Sequence, residues 1–193
     1  MIDFLTAARR VPLRLVSGRG HYQGVVRAVE GSRCSVWIAT ANLKEVLLEG
    51  GPRRPGSTRR GYRSSLDLFD ELAARGLELR ILHALLPSQA FRRAFDRHPR
   101  LVRGGLELRL CPRVHLKTVV VDGALLYLGS ANWTGAGLGA KGSGRRNFEL
   151  GLVSEDPLLL DEVQALYERI WRGLECRACR LHCEAPLDGR PGR

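Results

Sequence analysis

Four polar side chains that can bind or attack an anion occur close together, between residues 115 and 132. His115 and Lys117 begin one predicted strand, and Ser130 and Asn132 follow a second one. Residues two apart on a strand share a face of the sheet. The first strand is otherwise apolar on both faces, and buried polar groups need partners. The grouping therefore indicates a shared anionic ligand, although a polar face turned to solvent is the simpler alternative.

Asp122 and Gly123 separate two apolar runs and predict a tight hairpin. If these two residues form the whole loop, His115 lies directly opposite Ser130, with their Cβ atoms about 5 Å apart. A three-residue loop would instead shift the register by one residue and move Ser130 away. At about 3.3 Å per strand residue, Asp122 lies roughly 20 Å from His115, so we expect it to be structural rather than catalytic.

The residues from His115 to Asn132 resemble the signature of a known family. The pattern His115-x-Lys117-x4-Asp122, followed by Gly129-Ser130-x-Asn132, resembles the signature of the phospholipase D superfamily. An acidic residue in a downstream apolar strand, Glu149, also fits. The other four histidines, which are His21, His83, His98 and His182, lack a lysine two residues on. With one copy of the motif, the chain is similar to the short bacterial nucleases of this superfamily, which build one site across a homodimer.

The resemblance implies a role for each residue of the motif. His115 of one subunit would attack phosphorus to form a phosphohistidine, and the partner subunit's His115 would protonate the leaving oxygen. Glu149 would accept the other ring N–H of His115, and Gly129 would be structural. Catalysis would then require no divalent metal. The non-bridging oxygens of the phosphate would be held by Lys117, Ser130 and Asn132.

The charge of the chain favours a polyanionic partner. The formal net charge is +11 and the isoelectric point is about 10.3, which indicates nucleic acid first and an anionic membrane second. No apolar run is long enough to span a bilayer, and the N-terminus does not resemble a secretory signal, so we expect a cytoplasmic protein without stable membrane association. Two alternatives to a nuclease remain open: a phospholipid-acting enzyme of the phospholipase D type, and a catalytically idle module that binds nucleic acid.

Alternating strand and helix patterns predict an α/β fold, with a mixed β-sheet flanked by helices on both faces as in phospholipase D-like α/β/α sandwiches. We assign residues 1–175 to this catalytic domain and residues 176–193 to a cysteine-containing tail. Residues 2–10 predict a short helix. Thr40 and Asn42 end a predicted central strand, where ligand crevices often lie, although a plain strand-to-loop turn is an equal alternative.

Two basic loops are candidate substrate-binding segments. The functional interpretation is that they hold a nucleic-acid backbone, and the alternative is a solvated loop. The first loop is rich in glycine and proline, and the second follows the motif. Their basic residues are Arg53, Arg54, Arg59 and Arg60 in the first loop, and Lys141, Arg145 and Arg146 in the second.

The C-terminal tail contains three closely spaced cysteines, Cys176, Cys179 and Cys183, with His182 beside the last. Such spacing is compatible with a structural zinc ion or an iron–sulfur cluster. A fourth ligand would have to be His182, Cys111 or a residue of a partner chain, and a tail without metal is the equal alternative. No cofactor is expected to take part in catalysis.

Overall fold

The computed structural model describes residues 4–51, 61–176, 179 and 181. Both strands and helices occur along this length, as the hydrophobic patterns predict. The strands are β1 Arg14–Ser17, β2 Ser35–Thr40, β3 Leu47–Gly51, β4 Gly61–Ser64, β5 Glu78–His83, β6 Glu107–Leu110, β7 Thr118–Val121, β8 Leu125–Gly129 and β9 Leu150–Ser154. The α-helices are α1 Arg19–His21, α2 Arg27–Glu30, α3 Ser65–Ala74, α4 Gln89–Phe95 and α5 Pro157–Trp171.

Several irregular turns complete this order. A π-helical turn, Tyr22–Val26, joins α1 to α2, and a second one, Leu101–Gly105, precedes β6. A short 3-10 turn spans Ser143–Arg145. Residues 4–10 form no regular structure, so the predicted helix over 2–10 is wrong in its described part. Instead, this segment is tied to the start of α5 by the Arg9 guanidinium, which donates to Asp156 at 2.6 and 2.9 Å.

Seven strands form one mixed sheet in the order β1-β9-β8-β7-β2-β5-β6. Strands β2, β5 and β6 are parallel, and every other pairing in this sheet is antiparallel. Strands β3 and β4 form a separate hairpin. In this arrangement the carboxyl ends of β2, β5 and β8 and the amino ends of β7 and β9 meet at one edge of the sheet. Residues on either side of these strand ends are therefore gathered there.

Helices cover the sheet on both faces, which confirms the predicted architecture. One face packs against α2, α3 and α4, through apolar side chains such as Val29, Phe69 and Phe91. The other face packs against α5, whose Leu160 and Tyr167 are buried. Tyr167 also stacks on Trp37 of β2, with ring centroids 5.3 Å apart. Helix α5 starts at an Asp156 cap followed by Pro157, two residues that favour the first turn of a helix.

The register of the β7–β8 hairpin differs from the two-residue-loop prediction. Val121 pairs with Leu125 and Thr118 with Leu128, so three residues separate the strands. Asp122 and Gly123 both have positive φ, 55° and 61°, as the dipeptide allows. The longer loop shifts the pairing by one position, so the predicted alignment of His115 with Ser130 is wrong. Lys117 is aligned with Gly129 instead, and the Gly129 N–H donates to the Lys117 carbonyl at 3.1 Å.

Candidate active site

The sheet edge described above gathers the five predicted catalytic residues. His115 and Lys117 immediately precede β7, Ser130 and Asn132 follow β8, and Glu149 immediately precedes β9. Strands β7, β8 and β9 are neighbours in the sheet, so these short segments leave it side by side. His115 and Ser130 are exposed, and the other three residues are half-buried. The edge is therefore open to a ligand.

His115 and Lys117 contact each other directly. The Lys117 ammonium donates to the main-chain carbonyl of His115 at 2.9 Å and lies 3.0 and 3.1 Å from the two ring nitrogens. An imidazole nitrogen accepts a hydrogen bond only through an unprotonated lone pair, which is also the lone pair that can attack phosphorus. Burial lowers the pKa of Lys117, and the negative charge of Glu149 opposes that shift. Glu149 therefore acts electrostatically on Lys117.

Asn132 is held by the end of β2. Its Oδ1 atom accepts from the Thr40 hydroxyl at 3.2 Å and from the Asn42 main-chain N–H at 3.0 Å. The Thr40 hydroxyl oxygen also accepts from the main-chain N–H of Trp133 at 3.0 Å. The position of Thr40 and Asn42 at a strand end predicted their place beside the site. Their contacts fix the oxygen side of the Asn132 amide, so its NH₂ group is the side left to meet an anion.

Glu149 contacts Ser130 rather than His115. The Ser130 hydroxyl donates to Oε2 of Glu149, and the Asn147 side-chain amide donates to Oε1 at 3.1 Å. Across the described part of the chain, no hydrogen bond joins Glu149 to His115, so the predicted pairing is absent within one protomer. The reason is topological: β8 lies between β7 and β9, and Ser130 at the end of β8 is the nearer partner.

Gly129 is required by close packing rather than by its backbone angles. A Cβ atom at this position would lie 2.8 Å from both the Gly151 Cα and the Leu150 carbonyl oxygen, and closer still to the Tyr127 hydroxyl. Distances under 3.0 Å are not seen for real Cβ atoms. The sequence places Gly129 in the motif, but the tyrosine that occupies this space carries no sequence signal of its own.

Asp122 lies at the opposite end of the hairpin. Its carboxylate accepts from the main-chain N–H groups of Arg33, Cys34 and Ser35 at 2.7 to 3.1 Å. Burial alone would raise the pKa of Asp122, but these three hydrogen bonds outweigh it and the pKa is lowered. The geometry thus gives this carboxylate a structural task, since it ties the hairpin to the segment that enters β2.

Comparison with known proteins identifies the family of the chain. Residues 28–171, more than half of the chain, match the family described as cardiolipin synthase, PLD-like domain. The chain belongs to this phospholipase D-like family. No curated protein matches the sequence. The family resemblance predicted from the motif is therefore confirmed.

Solved structures share the phospholipase D-like fold at low sequence identity. NucT from Helicobacter pylori is 15% identical, with a TM-score of 0.57, and the match covers 84% of this chain and 97% of NucT. Nuc from Salmonella typhimurium, a phospholipase D family member, is 17% identical with a TM-score of 0.51, covering 84% and 95%. TrmBL2, an archaeal chromatin protein, is 14% identical with a TM-score of 0.52, covering 83% and 52%.

One of the two basic loops flanks the candidate site. Lys141 and Arg145 are exposed, while Arg146 is half-buried and its Nε donates to the Lys141 carbonyl at 2.8 Å. The Asn147 N–H donates to the Ala136 carbonyl at 3.1 Å, which closes the loop just before Glu149. The loop therefore brings positive charge next to the site. The other predicted loop residues lie outside the described residues: Arg53, Arg54, Arg59 and Arg60.

Of the three tail cysteines, the structure describes Cys176 and Cys179, whose thiols are free. The Cys179 N–H donates to the Cys176 carbonyl at 3.0 Å. His182 and Cys183 lie outside the described residues. Among the residues that are described, no three His, Cys, Asp or Glu side chains are grouped to hold a metal ion. The metal site, like the domain boundary at residue 175, stays a prediction.

Among the described residues, none of the helices is both long enough and apolar enough to cross a membrane.

Proposed function

We propose that this chain is a metal-independent phosphodiesterase that cleaves nucleic acid through a phosphohistidine, at a site shared by two subunits. The observation that carries this proposal is the grouping of His115, Lys117, Asn132 and the Ser130–Glu149 pair at one open sheet edge. A nucleophile, a cation and neutral donors in one place are what phosphoryl transfer requires. The net charge of +11 and the adjacent basic loop favour a nucleic-acid substrate.

The contacts define what each group would do. A bound phosphate would take the Lys117 ammonium away from the imidazole of His115 and free the ring lone pair. That nitrogen would form a bond to phosphorus while the bond to the leaving oxygen breaks, and the partner subunit's His115 would give the leaving oxygen its proton. Water would then attack phosphorus and return a proton to that second imidazole, and the nitrogen–phosphorus bond would break.

The second histidine is the reason for proposing a dimer. The chain has only one His-x-Lys pair, and a general acid is needed for the leaving oxygen. An apolar surface lies beside the site: Leu15 of β1 and Leu150 of β9 are 68% and 60% exposed, and Phe148 is fully exposed. A two-fold dimer through this surface would bury these side chains and bring two copies of the site together. Sedimentation that finds the active species to be a monomer would contradict this part of the proposal.

The central experiment is a cleavage assay on DNA and RNA in the presence of EDTA. We expect wild-type activity to survive chelation and His115→Ala to abolish it. His98→Ala is the matched control, because His98 is another imidazole but contacts Asp67 and the Ala94 carbonyl instead of the site. Activity that EDTA removes and magnesium restores would contradict the metal-independent mechanism, provided that circular dichroism shows the chelated protein still folded.

Assays on the same purified protein distinguish two alternative functions. The family description names cardiolipin synthase, which favours a phospholipid substrate. Release or transfer of headgroups from anionic vesicles, without cleavage of nucleic acid, would establish it. The fold is also that of TrmBL2, whose structure shows a mode of DNA binding. Tight binding of DNA by wild type and His115→Ala alike, with no turnover on any substrate, would indicate an idle binding module.

A further inference from the structure

Tyr127 is a fully buried tyrosine directly beneath the candidate site. It lies in the middle of β8, where it pairs with Val119 on one side and Val153 on the other. Its side chain is completely inaccessible to solvent, and its ring meets the buried His21 edge-on at a centroid distance of 5.6 Å. A tyrosine placed in a core normally gives its hydroxyl a polar partner.

The partner of the hydroxyl belongs to the active-site segment. The Ala131 N–H donates to the Tyr127 hydroxyl oxygen at 3.3 Å. Ala131 lies between Ser130 and Asn132, so one buried contact holds the main chain between two of the proposed phosphate-binding residues. Ala131 is itself buried and offers no polar side chain that could take part in catalysis.

The tyrosine side chain also explains why two neighbouring positions are occupied by glycine. A Cβ atom on Gly151 would collide with the ring, lying 2.9 Å from both Cζ and the hydroxyl oxygen and closer still to Cε2. A Cβ atom on Gly129 would collide with the same hydroxyl. The ring therefore occupies the space between the end of β8 and the start of β9, the two strands that carry Ser130 and Glu149.

The hydroxyl keeps its proton at neutral pH. Burial raises the pKa of Tyr127 to about 12, the hydrogen bond from Ala131 opposes that shift, and the charge of Glu149 adds to it. The group is therefore a neutral acceptor for the Ala131 N–H and does not compete as a second anion beside Glu149.

We propose that Tyr127 is a positioning residue, whose buried hydroxyl and ring fix the main chain from Ser130 to Asn132 in the geometry that binds the reacting phosphate. It touches neither substrate nor the reacting atoms. Its kinetic consequence rests on the proposed phosphodiesterase function, but its effect on the Ala131 main chain does not.

The test compares two tyrosines. Tyr127→Phe keeps the ring and removes the acceptor. Tyr22→Phe is the matched control, because Tyr22 is also buried and its hydroxyl also accepts a main-chain N–H, that of Glu49 at 2.8 Å. We expect Tyr127→Phe to lower kcat by about 10- to 100-fold, the scale of a small misplacement of catalytic groups, with KM changed less than kcat. Tyr22→Phe should leave both constants near those of wild type.

A second readout does not depend on activity. In the wild type the Ala131 amide should exchange slowly with deuterium, and Tyr127→Phe should accelerate its exchange while the Glu49 amide stays protected. Tyr22→Phe should do the reverse. If Tyr127→Phe fails to fold, Gly151→Ala replaces it, since that change displaces the ring and should also accelerate exchange at Ala131.

The outcomes separate the two proposals. Unchanged exchange at Ala131 and unchanged kcat in Tyr127→Phe would overturn the positioning role, as would an equal loss of kcat in Tyr22→Phe. Accelerated exchange in a protein whose wild type cleaves no phosphodiester would support the positioning role and contradict the proposed function.

Discussion

The two ends of the β7–β8 hairpin carry charged residues under opposite conditions. At the turn, the Asp122 carboxylate accepts three main-chain N–H groups and joins the hairpin to the start of β2. At the open end, the exposed His115 has Lys117 as its side-chain partner, and Lys117 is only half-buried. A carboxylate satisfied by fixed donors stabilises a fold, whereas a loosely held imidazole and ammonium can exchange partners for a ligand. One motif thus contains a structural end and a reactive end.

The largest effect should follow from removing the imidazole at the reactive end. We expect His115→Ala to reduce turnover on the order of 10⁵-fold or more, the loss found when a catalytic nucleophile is removed. The melting temperature should barely change, because the side chain is exposed. Single-turnover kinetics and thermal unfolding measure the two quantities. A large drop in stability would show that the two ends of the hairpin do not differ as described.

Glu149→Gln should have the next largest effect. The change keeps the shape of the side chain but removes the negative charge, and we expect a fall in turnover of about 10²-fold. Loss of a carboxylate that orients a catalytic histidine directly costs about 10⁴-fold, and Glu149 should cost less because it meets Ser130 instead. The change should also shift the pH dependence of activity in a definite direction. Glu149 raises the pKa of Lys117, so its removal should lower that pKa further. Activity that needs the Lys117 ammonium should then disappear at a lower pH, which a pH–rate profile would detect.

Asp122→Ala should damage stability and leave the chemistry intact. Hydrogen bonds to a charged group contribute about 1.5–3 kcal/mol each, and water can replace part of this at a half-buried site, so we expect a destabilisation of about 2–3 kcal/mol. Urea unfolding measures it, and kcat of the folded variant should stay within about twofold of wild type. A fall in turnover comparable to that of Glu149→Gln would assign Asp122 to the reactive end.

The stability that Asp122 contributes should depend on pH. The pKa of Asp122 is lowered in the folded protein, so its contribution is present above the unfolded-state pKa and is lost as the pH falls through the folded-state value. The difference in stability between wild type and Asp122→Ala should therefore be full at pH 7 and shrink in acid. A difference that grows as the pH falls would contradict this assignment.

The smallest effect should come from the basic loop beside the reactive end. Replacing Lys141, Arg145 and Arg146 by alanine should weaken nucleic-acid binding and flatten the slope of log affinity against log salt by about 0.9 for each phosphate that is no longer neutralised. Three exposed arginines elsewhere provide the matched control, since their removal changes the net charge equally: Arg33, Arg97 and Arg103. Equal slopes in the two triple variants would show that the loop contributes only to the net charge and makes no specific phosphate contacts. The arginines at 53, 54, 59 and 60 can be tested in the same way.

The family, the layered α/β architecture and the identity of the motif residues could all be predicted from the amino-acid sequence. Strand patterns identify β2 and β5, and the spacing from His115 to Asn132 identifies the hairpin, because side-chain periodicity is a local property. The strand-end rule also found Thr40 and Asn42, which hold Asn132. The structural nature of Asp122 followed from its distance along the strand from His115 alone.

Which side chains meet at the site depends on how the strands are arranged in the folded protein. The hairpin loop has three residues rather than two, and its Asp122 is bound by amides from the segment before β2, a contact between residues far apart in sequence. Glu149 meets Ser130 because β8 separates β9 from β7, and strand order is set by the packing of the whole sheet. Tyr127 carries no local signal, since its importance comes from the two glycines and the amide that surround it. Pairings of this kind depend on long-range contacts, which local patterns do not encode.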